Sequence, residues 1–204
     1  MNPDQILSQV RLESEVLLIA IMVIGIGLLW LINRNRIAVR WREWRIQHCL
    51  SRVGREQIRN LSCPDGLDGN YVIDRLALVQ DAILLISYRP YSGNIYGAER
   101  IAEWTQVVDR KSFKFPNPLF EIDNQITALK LLTGNVALRG YLFFNHSAVF
   151  PKGHPPAVLH PDNIPQQYLS EHCTSASAEL LATWEALKSR HSKAVSANLL
   201  QPKT

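Results

Sequence analysis

The sequence predicts a mixed α/β fold, a sheet flanked by helices, preceded by a single transmembrane helix. Three observations predict it. An uncharged apolar run of seventeen residues, 16–32, lies near the start. Two β-rich stretches, "NYVIDRLALV" and "AILLISY", follow one another across a short polar gap at Gln80 and Asp81. A run with helical periodicity, opened by Asn117 and Pro118, separates them from a third β-rich stretch, "VALRGYLFFN". With 204 residues the chain has room for one globular domain and appendages.

Residues 1–15 form a polar lead, expected outside the membrane. The apolar run after it spans about 25 Å as a helix, slightly short of a ~30 Å hydrocarbon core. Trp30 suits the aromatic belt, and flanking arginines can snorkel over the shortfall. A cleavable signal peptide fits poorly. The lead carries Asp4, Glu13 and Glu15 against Arg11, and the run ends in Asn33 and Arg34 instead of small residues. Beyond it come Arg34, Arg36, Arg40, Arg42, Arg45, Arg52, Arg55 and Arg59, opposed by Glu43 and Glu56. The positive-inside rule then places a single-pass protein in the cell membrane with its C-terminal domain in the cytoplasm. Cys49, Cys63 and Cys173, odd in number and without a Cys-x-x-Cys pair, agree with a reduced compartment.

Residues 33–60 read as a basic juxtamembrane helix, with Ile37, Trp41 and Trp44 at helical spacing among the arginines. Such a segment can pair nucleic-acid phosphates and stack bases, or it can meet anionic lipid head groups. Adjacency to the apolar run favours lipid. In the domain, residues 70–79 and 82–86 read as a strand hairpin, and 136–145 as a third strand. The helix between them buries Leu119, Ile122, Ile126, Leu129 and Leu132, with Asn117 as its cap and Pro118 in its first turn. Prolines 151, 155, 156, 161 and 165 make a loop, and a last helix to residue 190 buries Leu180, Leu181, Trp184 and Leu187. Residues 191–204 are expected to be a mobile tail.

Taken in order, "YVIDRLALV", "SGNIYGAERIAEW", "FPNPLFEIDNQITALKLL" and "GYLFFNHSAVFP" resemble the nuclease-related domain (NERD) family, a branch of the PD-(D/E)xK nuclease superfamily. The resemblance covers residues 53–152, with 153–190 as a Pro-rich loop and C-terminal helix. It implies a restriction-endonuclease-like sheet and a metal-dependent phosphodiesterase site. The family pattern has an acidic residue in a first helix, an Asp in the first strand, Glu-x-Lys at the end of the second, and a Gln on the following helix. Here those positions fall on Glu56, Asp74, Ser87 with Arg89, and Glu121. Two of the five fit, and the Glu-x-Lys pair does not.

The departures have physical consequences. Mg²⁺ demands oxygen ligands at about 2.0–2.1 Å in octahedral geometry and relies on one or two carboxylates. Ser87 offers a neutral hydroxyl instead. Arg89 keeps a positive charge whose planar fork suits phosphate, yet it cannot serve as a base. Glu121 supplies a new carboxylate that either replaces the missing ligand beside Asp74 or forms an ordinary salt bridge, with Arg89 as the nearest candidate; Asp123 faces solvent. Two functions follow. One is a membrane-anchored domain with a degenerate site that binds nucleic acid or an unidentified protein partner, Arg89 taking the phosphate. The other is a working nuclease using Mg²⁺ or Mn²⁺ on Glu56, Asp74 and Glu121. The first is favoured because the Glu and the Lys have changed together. His154, His160, His172 and Cys173 fit no compact zinc spacing, and His146 reads as a surface residue without a partner. The chain also carries no Gly-rich phosphate loop and no nucleophile elbow.

Overall fold

The computed structural model describes the backbone of residues 3–64, 69–173 and 175–200, and the side chains among them except those of 3–21, 35, 195 and 197–200. The chain divides after Gln47 into two units. The first is helical. Helix α1 (Pro3–Ser51) opens on Pro3, whose missing N–H costs no bond in a first turn, and meets no further proline along its length. The large apolar side chains from Met22 to Ile32 are exposed, as are Trp41 and Trp44, whose rings meet edge-on at 5.8 Å. The single span expected over residues 16–32 is not found: among the described residues no one helix is long and apolar enough to cross a membrane. The segments Met22–Arg34 and Arg36–Ser51, bent by 51°, meet that length and composition together. The polar lead and the first six residues of the expected span lie among those whose side chains are not described.

The basic helix expected through residue 60 ends at Ser51, and the reason is local. Gly54 takes φ +73°, a left-handed turn in which a Cβ would sit 2.7 Å from the Leu78 carbonyl oxygen. The chain then reverses into strand β1 (Glu56–Pro64). Its second residue, Gln57, donates Nε2 to the carbonyls of Leu50 at 2.7 Å and Val53 at 2.6 Å, meeting groups that a helix end leaves open. Glu56 therefore opens a strand and does not lie on a first helix.

Strands β2 (Asn70–Leu78) and β3 (Ile83–Arg89) form the expected hairpin, Leu78 opposite Ile83. Strand β3 runs three residues further than the apolar run, so Ser87 and Arg89 are paired strand residues, opposite Leu142 and Phe144. A four-stranded sheet not foreseen in the sequence follows. It is built from β4 (Gly93–Tyr96), β5 (Glu103–Val108), β6 (Lys111–Pro116) and β8 (Ala148–Val149), in the order β6-β5-β4-β8. Asp109 and Arg110, both at positive φ, make the two-residue turn between β5 and β6. The main sheet is completed by β7 (Leu138–Phe144) and β9 (Val158–Leu159), giving the order β1-β2-β3-β7-β9. Strands β1 to β3 are antiparallel, whereas β3, β7 and β9 run parallel.

Helix α2 (Pro118–Thr133) is the crossover between β3 and β7, begun as expected by Asn117, which accepts from the Leu119 N–H. The Asn117 amide also donates to the carbonyls of Ala98, Glu99 and Ile101, so one buried side chain fixes both the helix start and the preceding loop. Leu119, Ile122 and Leu129 are buried, and Ile126 and Leu132 pack at the margin. The helix lies close on β7 because residue 140 is glycine: a Cβ there would stand 2.2 Å from Ile122 Cγ2. Helix α3 (Ala178–Leu200) buries Leu180, Trp184 and Leu187. It continues ten residues past the expected end, through "HSKAVSANLL", which holds no glycine or proline to stop it. Residues 201–204 of the expected mobile tail are outside the described residues.

Candidate functional site

Alternation along β3 puts Leu85, Ser87 and Arg89 on the face that also carries Gly140, Leu142 and Phe144 of β7, the face covered by α2. Arg75 pairs with Ile86, which brings its neighbour Asp74 beside Ser87. Ser87 is buried, and its hydroxyl donates to Asp74 Oδ2 at 3.0 Å. Two residues along, Arg89 Nη2 donates to Glu121 Oε2 at 2.5 Å from the first turn of α2. Glu121 is thus an ion-pair partner of Arg89, the second of the alternatives open for it. Its other oxygen, Oε1, accepts from Gln125 Nε2 at 3.2 Å. Arg89 Nε and Gln125 Oε1 are buried and have no hydrogen-bond partner among the described residues.

Glu56 is not part of this rim. It pairs with Leu78, four residues along β2 from Asp74, which is ~13 Å at a strand rise of ~3.3 Å per residue. Its Oε2 accepts from Trp184 Nε1 at 3.0 Å and from Lys188 Nζ at 2.8 Å. Those hydrogen bonds, Lys188 first, hold its carboxyl below the usual range. So Asp74, Ser87, Arg89 and Glu121 are neighbours on one face, and Glu56 stands apart at the far end of the same strands.

The residues present do not fit a catalytic Mg²⁺ or Mn²⁺ ion. On the paired strand the side chain facing Asp74 is the Ser87 hydroxyl, and Glu121 is already paired with a guanidinium. Among the described residues no group of three or more His, Cys, Asp or Glu is arranged to hold a metal ion. His146, expected without a partner, faces Asp162 at 3.0 Å.

Two residues went unnoticed in the sequence. Gln125 lies four positions after Glu121, on the same helix face, and that spacing was the available signal. Arg75, on the opposite face of the sheet from Asp74, is buried and donates to Gln57 Oε1 at 2.5 Å. Burial, and then the charge of Arg59, pull its pKa down to about 10. No periodicity argument singles out a buried arginine next to an exposed aspartate.

Residues 39–151, more than half of the chain, match the family model of the nuclease-related domain. An uncharacterized protein of Bacillus anthracis is 33% identical over 60 residues, which is 29% of this chain and 28% of that relative, so the chain spans less than a third of its length. No solved structure matches. The antiparallel hairpins, the crossover helix and the parallel third strand fit a nuclease-like architecture, and with the match over 39–151 the chain belongs to the nuclease-related domain family.

Proposed function

We propose that this protein is a membrane-seated, nuclease-related module that binds nucleic acid through its phosphates without hydrolysing them. The observation that carries the reading is the Ser87–Asp74 hydrogen bond. A hydroxyl stands where a second anionic ligand is needed, so the electrostatic attraction for a divalent ion falls, and with it the means of polarising a phosphate and activating water. Arg89 retains the charge and the planar fork that suit a phosphate oxygen pair. The exposed apolar side chains from Met22 to Ile32 support membrane seating, and the arginines that follow support contact of the basic juxtamembrane segment with anionic lipid and a cytoplasmic place for the C-terminal unit.

The test uses the full chain in mild detergent with labelled single- and double-stranded DNA, with and without Mn²⁺. The expected result is retention of DNA without cleavage, with metal-dependent cleavage gained on the double change Ser87→Glu, Arg89→Lys. Metal-dependent cleavage by the unchanged chain, lost on Asp74→Ala, overturns the reading in favour of an active nuclease that draws on Glu121.

A further inference from the structure

Resting on that reading, we propose that Arg89 is a half-filled anion fork and that Glu121 is its built-in competitor, displaced when a phosphodiester group binds side-on across Nε and Nη2. A guanidinium offers Nε–H and the adjacent Nη2–H as one edge, with the spacing of two phosphate or carboxylate oxygens. Glu121 occupies the Nη2 half of that edge with Oε2. It does not cover the other half, because Gln125 Nε2 holds Oε1. Among the described residues Arg89 Nε is a buried donor without a partner, and Gln125 Oε1 a buried acceptor without one. Buried polar atoms left unmet in this way cost stability, so a ligand that fills the whole edge gains more from Arg89 than Glu121 does.

Entry at the Nη2 half is through Glu121. Its side chain is 48% exposed, whereas that of Arg89 is 22% exposed, so the carboxylate can swing into solvent while the guanidinium stays in place. The position matters for affinity as well as entry. A carboxylate already paired with the binding cation must be released before phosphate can take its seat, and phosphate binding is weakened by whatever that pair contributes. Asp123, two residues on and also exposed, supplies a charge of the same sign that is not paired with Arg89, and so separates a specific competitor from general repulsion.

The experiment measures equilibrium binding of fluorescent single-stranded DNA, and separately of inorganic phosphate, to the full chain at fixed ionic strength. Glu121→Gln should tighten DNA binding about fivefold, the weight of an exposed ion pair, and Asp123→Asn should change it clearly less. The gain should vanish when Glu121→Gln is combined with Arg89→Lys, which keeps the charge and removes the fork. The nitrogen resonance of Arg89 Nε should shift on adding DNA, and shift little with inorganic phosphate at the same concentration. Equal effects of the Glu121 and Asp123 changes, or a gain that survives Arg89→Lys, overturn the competitor while leaving nucleic-acid binding in place. No DNA binding by any variant overturns both, and a shift as large with inorganic phosphate reassigns the fork to free phosphate.

Discussion

Two carboxylates, Glu56 on β1 and Glu121 on α2, sit apart on the molecule, and their surroundings differ in one respect. Glu56 receives Trp184 Nε1–H and Lys188 Nζ on one oxygen, and this fastens α3 to the first residue of β1. Glu121 receives Arg89 and Gln125 on separate oxygens, and each of those two partners is left with a buried polar atom unmet. The first cluster is complete within the fold. The second is complete only with something added. Structural polar clusters tend toward full satisfaction because each unmet buried group is a cost. The end that tolerates the cost is the one to which the family resemblance assigns Asp74, Ser87 and Arg89.

The contrast predicts where damage is confined. Trp184 is fully buried beneath the Glu56 cluster, so Trp184→Ala should cost about 3–5 kcal/mol in denaturant unfolding, through the cavity and the lost packing. DNA affinity per folded molecule should be unchanged, and a loss of affinity in step with stability would show that the two ends are not independent. Gly140→Ala acts in between. The added methyl meets Ile122 and Ile126, so the change should cost about 1–3 kcal/mol by overpacking. Because α2 also carries Glu121, this variant should weaken the Arg89–Glu121 pair as well, seen as tighter DNA binding in the fraction that stays folded.

Asp74 sharpens the comparison further. At a working metal site, Asp74→Asn abolishes function. At a site that holds phosphate by Arg89 alone, the Asp74 carboxylate is a nearby like charge, and neutralising it should tighten binding about twofold, the scale of a single exposed interaction. A titration with labelled DNA decides between the two, and weaker binding would count for the metal.

What could be read from the sequence divides along the same line. Helix α2 was legible because its signals are local: Asn117 before Pro118 fixes the start, and Leu119, Ile122 and Leu129 repeat at helical spacing. The β2–β3 hairpin was legible for a similar reason, two apolar runs across a short polar gap. Strand β1 was not. Its buried positions are Ile58, Leu61 and Cys63, with Asn60 at φ +54° between the first two, and that interval of three hides the period of two. With that strand unseen, Glu56 had no place but the end of a helix, and its partners on α3 lie more than 120 residues away in sequence. At the rim, Ser87 and Arg89 stood out by residue type. The orphaned Nε and the role of Gln125 depend on which oxygen of Glu121 faces which donor, a matter of side-chain geometry that spacing does not encode.

The smallest expected effect is the pH response of the satisfied cluster. Glu56 has a folded pKa below its ordinary 4.5, chiefly through the Lys188 hydrogen bond and then that of Trp184. A depressed carboxyl pKa contributes stability that is fully present above the unfolded value and is lost as pH falls through the folded one. The contribution should therefore be intact at pH 7 and decline below about 4.5. It should be modest, because the Glu56 side chain is 48% exposed and solvent screens the pair. Protonated Glu56 also still accepts from Trp184 Nε1, so acid removes the ion pair and spares that hydrogen bond. Unfolding measured at several pH values for the unchanged chain and for Glu56→Gln should give curves that differ at neutral pH and converge in acid. Curves that stay parallel throughout would mean that Lys188 holds Glu56 no more tightly in the fold than water does.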